Sequence, residues 1–166
     1  FAVQNTWEAG VVAEEEQGKR MVAAARRAGV EHYVYTSVGS ADQRTGIPHF
    51  DNKARVEDAV RAAGFPSWTI VRPVFFMENL PTPWFLNGDS IVTTLDPTTT
   101  LQMIAVEDIG RFGARVFIDA PRWNGHAIDL AGDAATMPEV AAIFSVELGR
   151  TISFVQIPVS EVRKNS

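Results

Sequence analysis

The sequence predicts an α/β domain with a largely parallel sheet. Segments with helical periodicity alternate along the chain with short runs of β-branched and aromatic residues, a pattern typical of parallel strands connected by helices. Hydrophobic residues make up 46% of the 166 residues and charged residues 21%, which favours a folded domain over a disordered chain. No linker divides the chain, so the second half is expected to form a smaller α/β lobe packed on the first.

The first predicted helix covers residues 11–28. Glu14, Glu15 and Glu16 lie near its start and two arginines near its end, an order that complements the helix dipole. Gly29 follows the last apolar residue and is placed to end the helix. We expect the three glutamates to form a solvated helix start rather than a functional acidic patch.

Two strands and a second helix are predicted next. Residues 32–36 favour a strand, and a polar loop over residues 37–48 leads into a helix over residues 49–63. Residues 67–71 are apolar enough to form a strand buried on both faces, which breaks at Arg72 and Pro73. The connection that follows, residues 74–89, is long and rich in proline and aromatic residues, which suggests a functional loop.

Shorter elements are predicted in the second half of the chain. Strands are expected over residues 90–94, 101–105, 126–130 and 152–157, with a helix over residues 106–118. Thr136, Pro138 and Glu139 have the spacing of a capped helix start, and Gly149 is placed to end that helix.

Composition and missing motifs exclude several classes of protein. The net charge of −5 argues against a nonspecific nucleic-acid binder, and no apolar run has the roughly 18 residues that cross a bilayer. The chain has no Cys, which removes disulfides and thiol chemistry and is compatible with the cytoplasm. Its three histidines lack the spacing of metal ligands, so we expect no metal site. No Gly-x-Ser-x-Gly, P-loop or Gly-x-Gly-x-x-Gly motif is present.

Three predicted strand ends carry polar or unusual aromatic residues. Ligands bind at the carboxyl ends of the strands in open parallel sheets, and any one such end alone is more typical of a turn. Together they favour a ligand crevice. The residues at the three ends that we single out are Gln4, Asn5 and Thr6, then Ser37, then Phe76, Met77, Glu78 and Asn79.

The second predicted helix carries a candidate catalytic pair. His49 and Lys53 are four residues apart and therefore share one helix face. A lysine at this place can bond ribose hydroxyls or stabilise a developing oxyanion. An exposed lysine extended over the helix surface is an equally good interpretation, and a histidine at a helix start is more often structural than a general acid.

The motifs and their order resemble the NmrA-like family of atypical short-chain dehydrogenases/reductases, and most closely its HSCARG-like branch of redox sensors. The strongest match is His49-Phe50-Asp51-Asn52-Lys53-Ala54-Arg55-Val56-Glu57, and the others lie at residues 1–8, 17–19, 33–37, 71–79, 105–110 and 130–133, with Thr136 and Glu139. The resemblance implies a partial Rossmann-type fold that binds NADP(H), with NAD(H) as the alternative. Residues 1–89 would be the second half of the dinucleotide-binding domain, and residues 90–166 a small lobe for substrate or partner.

The resemblance also explains the missing glycines. In the family, the Gly-rich turn lies at the start of the complete domain. That start precedes the segment of the domain that begins at Phe1. Since the sequence has no initiator Met, we expect that a longer chain has lost its N-terminal part. Without that turn, strong cofactor binding is not expected.

The resemblance further implies roles for Ser37, His49 and Lys53. Typical short-chain dehydrogenases use a Ser and a Tyr-x-x-x-Lys pair. Lys53 matches the Lys and Ser37 lies near the Ser position, but His49 stands where the Tyr is expected. Imidazole transfers protons with a different pKa and reach than a phenol, so this departure argues against typical dehydrogenase activity.

Three hypotheses follow from the sequence. The first is an NADP(H)-binding redox sensor that regulates a protein partner, as the resemblance implies. The second is an NAD(P)H-dependent reductase of a quinone or small carbonyl. The third is an interaction fragment that binds no cofactor, which gains weight if the natural chain begins at Phe1.

Overall fold

The computed structural model describes residues 1–162, which form the mixed α/β fold that the sequence predicts. The helices are α1 (Thr6–Arg27), α2 (Pro48–Ala62), α3 (Val106–Ile118), α4 (Ala120–Trp123), α5 (Met137–Leu148) and α6 (Val159–Val162). The strands are β1 (His32–Thr36), β2 (Ser67–Pro73), β3 (Phe75–Phe76), β4 (Leu86–Asn87), β5 (Ser90–Thr93), β6 (Thr100–Ile104), β7 (His126–Leu130), β8 (Asp133–Thr136) and β9 (Ser153–Gln156). Among these described residues, no helix is both long enough and apolar enough to cross a membrane.

The chain forms two compact units. Within the described residues, the first contains residues 1–74 and 107–130, and the second contains residues 75–106 and 131–162. The units therefore do not divide at residue 89, the boundary that the sequence predicted. Residues 107–130 join the first unit because β7 pairs with β2, a pairing between distant parts of the chain that local sequence patterns do not indicate.

The first unit contains the predicted parallel sheet. Its strand order is β1-β2-β7, with every pairing parallel, and Ala2 adds a parallel bridge to Tyr35 beside β1. Helices α1 and α2 contact each other and contribute apolar side chains to one core with the sheet. That core consists of Ala2, Val22, Tyr33, Tyr35, Val56, Val60, Phe65 and Ile70.

Helix α1 begins earlier than predicted and contains a break. Asn5 caps the helix, its side-chain oxygen accepting from the backbone N–H of Trp7 at 3.0 Å. Gly10 then adopts a non-helical conformation, with φ of 81° and ψ of 169°, which only glycine adopts readily. A single turn from Thr6 to Ala9 therefore precedes the continuous helix, whose start at residue 11 agrees with the sequence prediction.

The second unit contains two small sheets and α5. Its sheets have the orders β3-β6-β8 and β4-β5-β9, and its core includes Ile91, Met103 and Met137. The predicted helix start is confirmed as a capping box: the backbone N–H of Glu139 donates to the Thr136 hydroxyl, and the Glu139 carboxylate accepts from the backbone N–H of Thr136. Gly149 ends α5 with φ of 62°, as expected.

The close contact of α1 with α2 at Gly18 generates a testable prediction. A Cβ at Gly18 would lie 2.7 and 2.9 Å from the two methyl carbons of Val56. Gly18→Ala is expected to lower the free energy of unfolding by about 1–3 kcal/mol, the usual cost of overpacking a core, although alanine favours helix formation. Urea denaturation of the two proteins measures this difference.

Gly110 in α3 provides the matched control. A Cβ at Gly110 would meet no heavy atom of the described residues within 4 Å. Gly110→Ala is therefore expected to raise the free energy of unfolding by about 0.5–1 kcal/mol, the difference in helix propensity. Stabilisation by both substitutions would contradict close packing of the helices at Gly18.

Candidate functional site

The carboxyl ends of the strands in the first unit lie at one edge of the sheet. Because Ala2 pairs in parallel with Tyr35, the same register brings Gln4 out of the sheet beside Ser37. The backbone N–H of Ser37 in turn donates to the carbonyl oxygen of Val71 at the end of β2, at 2.8 Å. The structure thus places the first two of the predicted strand ends side by side, next to the end of β2.

Lys53 reaches this edge from α2. Its ammonium nitrogen lies 2.6 Å from Glu14 Oε1 and 3.0 Å from the backbone carbonyl oxygen of Gln4. It also lies 5.8 Å from the centre of the Tyr35 ring. An ammonium has three N–H donors, of which one forms a hydrogen bond within residues 1–162, and 11% of the side chain is exposed. At least one donor is therefore available for a ligand at the edge of the sheet.

Glu14 is buried rather than solvated, which corrects the expectation for the three glutamates. The side chain of Glu14 is 1% exposed, whereas that of Glu16 is 59% exposed. Glu14 Oε2 accepts from Asn52 Nδ2 at 2.7 Å and from the hydroxyl of Thr6. Both hydrogen bonds go to Oε2, whereas Oε1 lies beside the ammonium of Lys53 and accepts no hydrogen bond from the described residues. The carboxylate therefore connects α1 with α2.

Several buried polar atoms near this edge have no hydrogen-bond partner among the described residues. They include Gln4 Oε1, Glu14 Oε1, Thr36 Oγ1 and Asn52 Oδ1, whereas the Ser37 side chain helps to lower the pKa of Glu57 by hydrogen bonding. Most buried polar atoms in folded proteins are paired. These atoms are buried from solvent, so they do not by themselves mark the contacts of a ligand.

The other predicted residues of this edge have local roles as well. The side chain of Asn5 caps α1, and the Thr6 hydroxyl donates to Glu14. His49 lies one helical turn before Lys53, as predicted, but it is exposed, and its ring centre is 4.4 Å from that of Phe50. No contact of the described residues joins His49 to Ser37, and so its catalytic role stays a prediction.

Tyr35 is the phenol nearest to Lys53, but it is not accessible. The residue is completely buried, and burial, followed by the charges of Glu14 and Glu57, raises the pKa of its hydroxyl far above the ordinary value. Burial also raises the pKa of Tyr33 to about 12. Both phenols therefore stay protonated at neutral pH, and Tyr35 has no exposed surface with which to touch a substrate.

The third predicted strand end divides between core and surface in the second unit. Phe75 packs edge-on against Phe85, with ring centres 5.1 Å apart, whereas Phe76 is 39% exposed. Met77 is half-buried and lines a cavity of about 420 Å³. Glu78 accepts from the backbone N–H of Val106, the first residue of α3, at 2.9 Å, and Asn79 is exposed. Cofactor contacts by residues 76–79 stay a prediction.

Arg72, which was predicted to break a strand, lies inside β2 with its side chain 5% exposed. Its Nε and Nη2 donate to the two carboxylate oxygens of Glu57 at 2.9 and 2.7 Å. Its Nη1 lies 3.0 Å from Asp42 Oδ2 in the loop after β1. Arg72 therefore connects the sheet with α2 and with the loop that begins at Ser37.

The pKa values of this pair follow from its burial and geometry. Burial, the largest single effect, would raise the pKa of Glu57, but the hydrogen bonds from Arg72, Ser37 and Arg61 and the charge of Arg72 together lower it. The same hydrogen bonds raise the pKa of Arg72. Hydrogen bonding by Arg72 likewise lowers the pKa of Asp42. All three groups are therefore charged at neutral pH.

Within residues 1–162, no three His, Asp or Glu side chains converge on one point. The polar groups at the edge of the sheet are instead amide and hydroxyl groups, with one ammonium and one carboxylate. Such groups suit recognition of an organic ligand by hydrogen bonds.

The parallel sheet, its connecting helices and the polar carboxyl edge define a Rossmann-like α/β protein. The chain belongs to the NmrA-like family, whose model matches residues 1–165. A curated relative is the nitrogen metabolite repression protein nmrA of Emericella nidulans. It is 32% identical over 162 residues, which cover 89% of this chain and 46% of the relative.

Solved structures show the same similarity. NmrA, a negative transcriptional regulator, matches in its complex with NAD (TM-score 0.74, 31% identity) and in its complex with NADP (TM-score 0.73, 28% identity), each covering 87% of this chain and 49% of the other. An NADPH-dependent quinone oxidoreductase from Escherichia coli matches with a TM-score of 0.75 and 25% identity, covering 86% of this chain and 51% of the other. The chain spans about half the length of these relatives.

The Glu57–Arg72 pair generates a prediction about stability. Glu57→Gln leaves the buried guanidinium of Arg72 without its main partner, and removing one member of a buried pair usually costs about 3–5 kcal/mol. Urea denaturation at neutral pH measures this loss. Asp58→Asn is the control, because Asp58 is exposed and its ion pair with Arg61 at 3.2 Å is a surface contact, for which a loss below about 1 kcal/mol is expected.

The same pair predicts the direction of the pH dependence. A carboxyl whose pKa is lowered on folding stabilises the protein above its unfolded pKa of about 4.3, and this stabilisation is lost as the pH falls through the folded pKa. Wild type should therefore lose more free energy of unfolding on acidification than Glu57→Gln. Parallel pH profiles of the two proteins would contradict the lowered pKa of Glu57.

Proposed function

We propose that the full-length protein binds NADP(H), or alternatively NAD(H), and acts as a redox-responsive regulator through protein contacts. The observation that carries the proposal is the Lys53 ammonium, which is held at the carboxyl edge of a parallel sheet with at least one N–H available. Dinucleotides bind at this edge in Rossmann-type folds. The NAD and NADP complexes of the regulator NmrA support the same class of ligand.

The surroundings of Lys53 favour regulation over turnover. Carbonyl reduction needs a proton donor within hydrogen-bond reach of the substrate. His49, in the position of the usual tyrosine, is exposed at the start of α2, and the Tyr35 phenol is fully buried. A site that holds a cofactor without an accessible phenol beside the lysine suits recognition of the cofactor's redox state.

A second candidate function is supported by the cavity in the second unit. Its volume is about 420 Å³, and its walls are mainly apolar, with Met77, Leu80, Met103 and Phe144 among them. Apolar cavities with a few polar groups commonly bind small organic ligands. This cavity favours reduction of a quinone or small apolar carbonyl as the alternative, in keeping with the similar quinone oxidoreductase.

Two measurements on the full-length protein separate these functions. Calorimetric titration with NADPH and NADP⁺ measures cofactor binding, and loss of NADPH absorbance with a panel of quinones measures turnover. Binding without turnover supports the regulator, and steady turnover supports the reductase. Absence of binding would contradict both and leave an interaction protein without a cofactor.

Lys53 provides the prediction for the cofactor site. Lys53→Ala removes a charge-assisted hydrogen bond to the ribose and is expected to weaken NADPH binding by about 1.5–3 kcal/mol. Calorimetric titration of the folded variant measures the change. Lys19→Ala is the matched control, because Lys19 forms an exposed ion pair with Glu15 on α1.

Two controls make the result specific. Circular dichroism and a thermal melt establish that Lys53→Ala is folded, since the substitution leaves Glu14 buried without its cation. Unchanged NADPH affinity in folded Lys53→Ala would exclude Lys53 from the cofactor site. An equal loss in Lys19→Ala would attribute the effect to general electrostatics.

A further inference from the structure

We infer that the cavity of the second unit binds an organic cation, a ligand in which a positively charged group such as an ammonium is joined to an apolar body. This inference rests on the second candidate function, since it concerns the same cavity, and it deepens that function by stating the charge of the ligand. A quinone or a small carbonyl is neutral. The residues at the rim of the cavity and the charge of the unit around it favour a positive ligand instead.

The inner wall of the cavity is part of the hydrophobic core of the second unit. Leu80, Met103 and Val140 line the cavity, and all three are buried members of that core. The wall is therefore held in place by packing. A volume of about 420 Å³ lies within the range of cavities that bind small organic ligands. The inner part of the cavity thus suits the apolar body of such a ligand.

The apolar wall also contains side chains that tolerate a cation. Phe144 of α5 lines the cavity and is half-buried. The face of an aromatic ring attracts a cation that lies within about 6 Å of the ring centre. Met77 and Met103 add polarisable sulfur atoms to the same wall. A cationic group that enters the cavity therefore meets no strictly aliphatic surface.

The charged residues that line the cavity, among those that the structure describes, are the two carboxylates Glu78 and Asp133. Each is fixed by the backbone: Glu78 Oε1 accepts from the N–H of Val106 at 2.9 Å, and Asp133 Oδ1 accepts from the N–H of Ala134 at 2.7 Å. Within residues 1–162, neither carboxylate forms an ion pair with a basic side chain. The second oxygen of each is therefore available to a positively charged group at the rim.

The second unit as a whole is strongly acidic. Residues 75–106 and 131–162 contain seven Asp and Glu residues and a single basic residue, Arg150. One positive and seven negative side chains give this unit a net charge of −6, compared with −5 for the whole chain. Arg150 is itself paired with Asp89. Because a cleft with low-dielectric walls concentrates the field of the surrounding charges, the cavity attracts cations and repels anions.

The first experiment compares three probes that share one apolar body: phenylbutylammonium, phenylbutanol and phenylbutyrate. Each is titrated into the full-length protein at neutral pH without NADPH, and NMR follows the ¹³C-labelled methyl groups of Met77 and Met103 in the cavity and of Met21 on α1. We expect shifts at Met77 and Met103 alone, with the ammonium binding about tenfold more tightly than the alcohol, since each of two ion pairs contributes up to about fivefold. Phenylbutyrate should bind most weakly. Equal affinities for the ammonium and the alcohol, or shifts at Met21 alone, would overturn the inference.

The second experiment removes the charges at the rim. Glu78→Gln and Asp133→Asn each keep an oxygen that accepts the same backbone N–H, and each should weaken phenylbutylammonium binding about two- to fivefold while leaving phenylbutanol unchanged. Asp96→Asn is the matched control, because Asp96 is an exposed residue of the same unit that accepts from the backbone N–H of Thr98 at 2.9 Å. This control should leave both affinities unchanged. An equal loss in Asp96→Asn would attribute the preference to the overall charge and overturn the assignment of the two carboxylates.

The comparison of probes on the wild-type protein decides the question even where a variant does not fold, and the methionine spectrum of each variant shows whether it does. NADPH binding is titrated separately on the same wild-type protein. Binding of NADPH without a preference for the cationic probe would overturn this inference alone. A preference for the cationic probe without binding of NADPH would overturn the proposed cofactor function and support the cavity as a site for organic cations.

Discussion

The buried pair of Glu57 and Arg72 is the interaction on which the rest of the first unit depends. Arg72 is fixed in the central strand β2, and its two bonds to Glu57 determine how α2 lies on the sheet. Lys53 precedes Glu57 by four residues and therefore lies on the same face of α2. The pair of Glu57 and Arg72 thus also determines where the ammonium of Lys53 meets the carboxyl edge of the sheet. Burying this pair costs the desolvation of two charges.

Most elements of the fold were predictable because their signals are local. Strands β1 and β7 and helix α3 have the predicted bounds, since β-forming runs and helical periodicity are properties of neighbouring residues. The division into units was not predictable in this way. Strand β7 lies beside β2 although more than fifty residues separate Trp68 from Asn124, whose side chain accepts from the Trp68 backbone N–H. The short strands β3, β4 and β8 were also missed, because two to four residues carry little periodic signal.

The candidate site was predictable in part, because some of its signals are also local in the sequence. The position of Lys53 beside Gln4 was predictable from its place on a helix after a strand, and the neighbouring positions of Gln4 and Ser37 were predictable from parallel strand order. The burial of Glu14 was missed because three consecutive glutamates look alike in sequence, while the partner that distinguishes Glu14 is Lys53, on another helix. A search for buried-face positions along α1 gives the missing signal: Glu14, Gly18 and Val22 are spaced four apart and are the buried residues of that helix.

The break at Gly10 makes the first turn of α1 a separate cooperative unit. Because Gly10 leaves the helical conformation, the turn formed by Thr6 to Ala9 can open without disrupting the ladder of hydrogen bonds that follows. Its tie to the interior is the hydroxyl of Thr6, which donates to Glu14. Opening of this turn therefore takes a donor from the carboxylate that holds Lys53. Amide hydrogen exchange in this turn would accordingly report, from a distance, whether the ammonium of Lys53 is paired with Glu14. The fluorescence of Trp7, which is exposed in the same turn, would report the same state.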